Sequence, residues 1–308
     1  MSTVKAPKII NYWNAAYWGY TAAKNSREWP KAVKEKIGIG EVKILRRPKA
    51  DSHKGDNGVL FIIGGSSQYH GAPLLAAKIA GKIVDLVYFA STPQNNMLAQ
   101  KLKARLLEFV AVDTKDISKF VNKSDAVLIG PGMGVSKTGT AFIKEFLKKY
   151  ADKKIIIDAD GLNMIKPRWL RANCIVTPHR REFRRLFKLP ATKDNAGKMA
   201  KRYGCVITLK GKTDYVACPG MIKTNTTGNA GMTKGGTGDV LAGLTAALAC
   251  VNDNFLAAAA AVFVNGLAGD RLAQKVSHYF SAADLIGEIP RALQFCEAYE
   301  RPAAKPAK

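Results

Sequence analysis

Between residues 59 and 211, short runs of Val, Ile and Leu alternate with longer segments of helical spacing, and this alternation restricts the fold more than any other feature. VLFIIGG, LVYFAST, AVLIG, KIIIDAD, CIVTP and CVITLKG are short, β-branched and almost wholly apolar, so they predict strands covered on both faces. The intervening stretches 72–86, 136–150, 181–188 and 192–203 read as helices. Strand, helix and strand in succession form βαβ units, which build parallel sheets. The expected fold class is therefore α/β, a three-layer α/β/α arrangement around a central, mostly parallel sheet. Helices over 237–251, 255–276 and 281–299 close the chain, the last opened by a capping-box spacing of Ser281 and Asp284. A chain of 308 residues, 47% of them hydrophobic, is long enough for one large core. One domain is expected over 46–308, without internal repeat or linker. Residues 1–45, with NYWNAAYWGY and then KAVKEK, read as a helical extension whose aromatics pack on the body or on another subunit.

In open α/β sheets ligands bind beyond the carboxyl ends of the strands, and that is where the polar residues of this chain fall. GGSSQYHGAPLLAA (64–77) joins a strand to a helix with three glycines, either as a tight turn or to let something flat approach the backbone. IGPGMG (129–134) repeats the pattern. IIIDADG (155–161) places Asp158 and Asp160 in alternation, so one is expected to face the crevice and both to act mainly in structure. In TPHRREF (177–183) His179 leaves a strand end and Glu182 follows in the first helical turn, so both can reach one pocket. The plainer alternatives are a polar loop histidine and a surface ion-pair glutamate. LKGKTDYVACPG (209–220) ends a strand at Lys210 and Gly211 before a short β excursion, which holds a nucleotide by its backbone or is simply a hairpin.

The densest glycine cluster lies in TNTTGNAGMTKGGTGDVLAGLTAA (224–247). Gly235, Gly236 and Gly238 allow successive N–H groups to converge on an anion, and Thr237 or Gly238 opens a helix whose positive end lies beneath them. Leu241, Leu244, Thr245 and Leu248 give that helix its buried face. Asp239 is then out of place unless it handles a proton or a cation. Favouring its own helix dipole is the simpler explanation for a lone Asp, but the adjoining glycines and Lys234 argue for a catalytic base. The lysine precedes the glycines, so the loop is not a Walker A sequence, nor is it a dinucleotide fingerprint.

GGTGD opening a late helix resembles the ribokinase-like superfamily. HKGDNG, GGSSQYHGAP, GPGMG, DADGLN, TPHRREF, LKGKTD and GNAGMTKGGTGD together, in that order over roughly residues 50–295, resemble the NAD(P)H-hydrate dehydratases within it. Arg180 and Arg181 stand where many relatives carry a small residue and Gly, and residues 1–45 do not match the epimerase domain sometimes fused in the family. The resemblance implies that Ala72, Gly132, His179 and Asp239 line a hydrated dinucleotide. It implies that Lys210, Gly211, Lys212, Thr213, Asp214 and Gly238 hold ADP or ATP. Asp239, with Lys234, Gly236 and Gly238, would carry the catalysis, and Glu182 would organise Mg²⁺ through water. The implied reaction repairs NADHX or NADPHX by phosphorylating the hydrate hydroxyl and eliminating phosphate. The resemblance also implies a homo-oligomer, with a tetramer among the forms it allows, and an NAD(P)HX epimerase as functional partner.

Two other readings use the same residues differently. A small-molecule kinase acting on a hydroxymethylpyrimidine or thiazole alcohol would need the same Asp and anion cradle. A basic nucleic-acid-binding protein would account for the net charge of +24. That charge is dispersed, without the aromatic interleaving of a single-strand-binding surface, so a basic surface around an anionic-substrate site is expected and no specific nucleic acid. Five cysteines without a CxxC suggest buried thiols in a reducing compartment. The N-terminus lacks a signal-peptide core and FLAAAAAVFV is too short to span a bilayer, so a cytoplasmic protein without a membrane partner is expected.

Overall fold

The structure, a computed structural model, describes residues 35–102 and 108–299. In chain order its main elements are α1 (Ile39–Lys43), β1 (Val59–Ile63), α2 (Gly71–Ala80), β2 (Leu86–Ala90), α3 (Pro93–Leu102), β3 (Val110–Ala111), α4 (Ile117–Asn122), β4 (Ala126–Ile129) and α5 (Lys137–Lys149). There follow β5 (Lys154–Ile157), α6 (Asp160–Met164), β6 (Cys174–Val176), α7 (Arg180–Phe187), α8 (Lys193–Tyr203), β7 (Val206–Leu209), β8 (Asp214–Cys218) and β9 (Met221–Asn225). Three helices close the described chain, α9 (Thr237–Val251), α10 (Asn254–Val276) and α11 (Ala282–Ala298).

The strands form one sheet in the order β3-β2-β1-β4-β5-β6-β7-β8-β9. Pairing is parallel from β3 to β7, and β8 and β9 are added antiparallel. The chain enters at β1, runs outward to β3, then returns to place β4 on the other side of β1. That reversal opens a crevice beyond the carboxyl ends of β1 and β4. Every β1 residue is buried, as its unbroken apolar run requires. Leu60 and Ile62 join one apolar layer with residues of α2, α9, α10 and α11, and Phe61 and Ile63 join the other with residues of α5 to α8. The three-layer expectation follows from that period-two division of strands covered on both sides.

Two local expectations are revised. The helix expected over 72–86 ends at Ala80, and Gly81 begins a turn that carries the chain to β2. Asp85 is drawn out of helical geometry to accept the N–H groups of Gly55 and Asn57 at 2.9 and 3.0 Å. The apolar stretch judged by its ten-residue core belongs to the 23-residue α10, which by length and composition alone is long enough to cross a membrane. Within the fold 83% of its apolar window is buried against other elements, so here it serves as a core helix.

The N-terminal aromatics (residues 1–34 of the expected extension) lie outside the described residues. The part that is described is integral to the body: the N–H of Ile37 donates to Thr224 O at 3.0 Å, and α1 packs between α10 and α11. Glu41 and Lys223, both 2% exposed, form an ion pair there, and Glu41 also accepts the N–H of Gly38 at 2.8 Å. Losing one member of a buried pair strands the other charge away from water. Lys223→Met is therefore expected to cost about 3–5 kcal/mol, seen as a lower midpoint in urea denaturation with Glu41 intact.

Candidate active site

Two glycine loops meet at the β1/β4 crevice. The N–H of Gly65 donates to Pro131 O at 2.8 Å, and a Cβ on Gly132 would stand 3.0 Å from Tyr69 Cβ and 3.4 Å from Ala72 Cβ. The structure thus brings together Ala72 and Gly132, as one wall. Asn95, 3% exposed on α3, donates to Ser66 O and Ser91 Oγ at 3.0 Å each and pairs with His70. Its bracing of the 64–72 loop was not read from the sequence, because PQNNMLAQKL carries a weak helical pattern.

Beside this wall lies the start of α9. Gly236, with φ at +93°, is its N-cap, and a Cβ there would stand 2.5 Å from Leu75 Cδ1 and 2.9 Å from Ala282 Cβ. Only glycine tolerates both the torsion and the closeness. The turn is tightened by Thr237 Oγ1, which donates to the carbonyls of Met232 and Lys234 at 2.7 and 2.9 Å. N–H groups of the first helical turn lack intrahelical acceptors, so the turn presents donors toward the crevice. Lys234 differs from expectation: its ammonium donates to the carbonyls of His278 and Phe280, at 2.7 Å for the latter, and lies over the Phe280 ring. It braces the loop from outside, its charge satisfied by two carbonyls and an aromatic face away from the N–H donors of the cradle, which would repel a cation.

Asp239 belongs to a cluster of charged groups with Asp158, Asp160, Lys210 and Glu182. Lys210 Nζ donates to Asp158 Oδ1 at 2.8 Å, and Thr177 Oγ1 donates to the same oxygen at 2.7 Å. Burial pushes the Asp239 carboxyl up to about 7, the charge of Asp158 adds to the rise, and Lys210 opposes it. Burial also raises Glu182 above the ordinary carboxylate range against the pull of Lys210. Burial disfavours the Lys210 ammonium, but Asp158 and Glu182 more than compensate and hold its pKa above the usual lysine value. Gly238 adjoins the cluster, a Cβ there standing 3.6 Å from Lys210 Nζ, an ordinary contact.

Asp158 therefore has an electrostatic part that the strand alternation did not show. The alternation stops at Ile157, the end of β5, and Ala159 turns sharply with φ at +49°. Asp158 is left facing Lys210, while Asp160 accepts the N–H of Gly134 at 2.9 Å, the backbone role expected for one of the pair. Opposite shifts follow. Asp158→Asn is expected to lower the Asp239 pKa, and Lys210→Met to raise it, both readable by carbon NMR titration of the Asp239 carboxyl.

His179 caps α7, its Nδ1 accepting the N–H groups of Arg181 and Glu182 at 3.1 and 3.2 Å, so the ring proton lies on Nε2. Glu182 returns the bond, accepting the N–H of His179 at 2.8 Å, and its other oxygen lies 3.4 Å from His179 Nε2. His179 and Glu182 thus do share one place, joined as a capping box.

Next to the cluster opens a cleft of about 770 Å³. Lys210, Gly211, Lys212, Asp214, Gly238 and His179 line one part, and Leu241, Val262, Asn265 and Met232 another. Thr213 lies within the same turn without lining the cleft. Asp214 shapes that turn, accepting the N–H of Gly211 and the amide of Asn225 at 3.0 Å each, and burial raises its pKa. The opposite wall, residues 227–233, is pinned to α10. Thr227 Oγ1 donates to Phe263 O at 3.1 Å, and Asp270 accepts from Gly228 N and Asn229 Nδ2 at 2.9 and 3.1 Å. Gly266 permits the contact, since a Cβ there would be 2.1 Å from Thr227 Oγ1. Its size suits a nucleotide. Among the described residues no three His, Cys, Asp or Glu side chains converge on a metal position.

Comparison with known proteins agrees with this geometry. A family model for NAD(P)H-hydrate dehydratase matches residues 60–291. The bifunctional NAD(P)H-hydrate repair enzyme Nnr of Methanocaldococcus jannaschii is 41% identical over 275 residues, 86% of this chain and 54% of the relative. The chain spans about half the length of the curated Nnr relatives it matches. The ADP-dependent (S)-NAD(P)H-hydrate dehydratase of Nitrosopumilus maritimus is 34% identical over 267 residues, 80% of this chain and 92% of the relative. Among solved structures, a ribokinase-like superfamily protein of Enterococcus faecalis has a TM-score of 0.79 at 26% identity, covering 88% of this chain and 99% of its own. The ADP/ATP-dependent NAD(P)H-hydrate dehydratase of Bacillus subtilis, co-crystallized with ATP/Mg²⁺, has a TM-score of 0.73 at 25% identity, covering 85% and 99%. The fold is ribokinase-like, and the chain belongs to the NAD(P)H-hydrate dehydratase family.

Proposed function

We propose that this chain uses ADP or ATP to dehydrate NADHX and NADPHX, restoring NADH and NADPH. The observation that carries the reading is Asp239, a carboxyl raised toward neutrality in the first turn of a glycine-capped helix, next to Gly238 and interacting with Lys210, both of which line the nucleotide-sized cleft. Family membership and the names of the relatives support it. The hydrate hydroxyl lies toward Asp239, which takes its proton as the oxygen attacks the terminal phosphorus of the nucleotide. The bond from that phosphorus to the shortened nucleotide breaks, and the N–H groups around Gly236 and Gly238 hold the charge on the moving phosphoryl. Phosphate then departs with the C–O electrons, a neighbouring ring carbon loses a proton, and the ring double bond re-forms. Hydroxide leaves poorly and phosphate leaves well, which is why a dehydration employs a kinase fold.

Mg²⁺ would neutralise phosphate charge, held through water near Glu182. The residues at 210–214 would hold the nucleotide, with the backbone of the Gly211 turn facing its phosphates. A cytoplasmic setting is part of the proposal, supported by five free cysteines, as is a homo-oligomer, supported by the exposed Tyr279 and Val276 at the end of α10. An epimerase interconverting hydrate stereoisomers would be the functional partner. Incubation with hydrated NADH, Mg²⁺ and either nucleotide should release inorganic phosphate and recover reduced-nicotinamide absorbance in equal amounts. A stable phosphorylated alcohol without absorbance recovery would favour the kinase reading. Salt-dependent nucleic-acid affinity that nucleotide does not compete away would favour the basic binding protein.

A further inference from the structure

Asn265 is the one residue lining the nucleotide-sized cleft whose buried side-chain oxygen has no hydrogen-bond partner among the described residues. It is 5% exposed, on α10, in a helical stretch otherwise apolar from Leu256 to Gly269. An amide oxygen removed from water and left unpaired destabilises the fold. Nothing in the packing of α10 needs a polar group there, since the carbonyls of Val262 and Phe263 are already served by Asn225 and Thr227. Leu241, Val262 and Met232 line the same cleft and offer apolar surface to a ring. A partly apolar lining that includes one unpaired acceptor suits a heteroaromatic base carrying an amino group.

We propose that Asn265 reads the amino edge of adenine on the phosphoryl-donor nucleotide, its Oδ1 accepting from the 6-amino group and its Nδ2 donating to an adjacent ring nitrogen. Asparagine has the geometry for that bidentate pairing, as in its contacts with adenine in DNA. The inference rests on the nucleotide-binding reading of the cleft and adds a residue that sets base specificity. The hydrated dinucleotide also carries an adenine, but the phosphate-binding turn at 210–214 and the start of α9 border this cleft, so the donor nucleotide is assigned to it.

The test is calorimetric binding of ADP, purine riboside 5′-diphosphate and NADH, with the hydrate absent. Inosine diphosphate is a poor probe, because an inverted amide would satisfy its oxygen. The parent protein should bind ADP about tenfold more tightly than the analogue lacking the amino group. In Asn265→Ala, and in the nearly isosteric Asn265→Leu should the alanine variant fail to fold, the two affinities should become equal while NADH binding is unchanged. Equal affinities in the parent would overturn the proposal, as would variants that weaken both diphosphates alike or that weaken NADH instead. Because no hydrate is present, the outcome is separable from the dehydratase reading. A chain that discriminates by the amino group yet dehydrates nothing keeps this inference and loses that one, and an active dehydratase indifferent to the amino group does the reverse.

Discussion

Asp239→Asn should bind nucleotide as the parent does and turn over roughly 10²- to 10⁴-fold more slowly, the usual span for removal of a positioned base. The amide keeps shape and helix position but cannot take the hydroxyl proton. Single-turnover rates beside nucleotide affinity separate the two effects, and a variant that turned over at the parental rate would reduce Asp239 to a helix-start charge. The same substitution should change stability in a direction set by pH. In the unfolded chain the carboxyl titrates at about 3.9, and in the fold it is raised to about 7. Between those values the folded protein retains a proton that the unfolded chain has lost, so this group's stabilising contribution is complete below about 4 and is lost as pH rises through about 7. Asparagine has no such dependence. The variant should therefore melt at nearly the parental temperature at pH 4 and above it at pH 8, as expected where catalysis needs a charge that folding disfavours.

Gly236→Val should lose about 10²- to 10³-fold in activity, comparable to the removal of a backbone donor from an anion hole. Here the cause is geometric. A β-branched residue is strained at φ +93°, and its Cβ meets Leu75 Cδ1 at 2.5 Å and Ala282 Cβ at 2.9 Å. Leu75 can yield, being the end of a flexible side chain, but the positive torsion cannot be kept cheaply, so the turn unwinds and its N–H groups lose aim. Gly235 is the control, since a Cβ there meets nothing within 4 Å. Gly235→Ala should remain close to the parent in kinetics and melting. A fully active Gly236→Val would remove the anion-cradle interpretation.

The strands from β1 to β7, except the two-residue β3, were legible because each is covered on both faces and so written as an apolar run. The late helices were legible from their period, with Thr237 and Ala282 opening α9 and α11 as the glycine and Ser281 signals suggested. The region from Pro93 to Asn122 was not, since α3 and α4 are short and the pairing of Val110 and Ala111 depends on β2 already being in place. Chemistry was legible where it rests on backbone, as in the glycine loops. It was obscure where it rests on a side chain chosen by its tertiary neighbours. Lys234 reads as a phosphate ligand until Phe280 and the carbonyls around it are placed, and Asp158 as a structural residue until Lys210 is. Asn265 left a faint signal, a lone amide within an apolar helix, which carries meaning only once the cleft exists.

The short parallel bridge between Lys36 and Thr224, with α1 tied to β9 by the Glu41–Lys223 pair, has a bearing on how the protein should be handled. β9 is the outermost strand on its side, and an outermost strand is a template on which another chain can pair. Here that rim is partly shielded by the protein's own leading segment and by the inward-turned Lys223. Shortening the chain past Lys43 would take away the shield and the anchor together, and the resulting protein would be prone to associate through that rim, clouding solution experiments on the cleft several strands' width from the other edge.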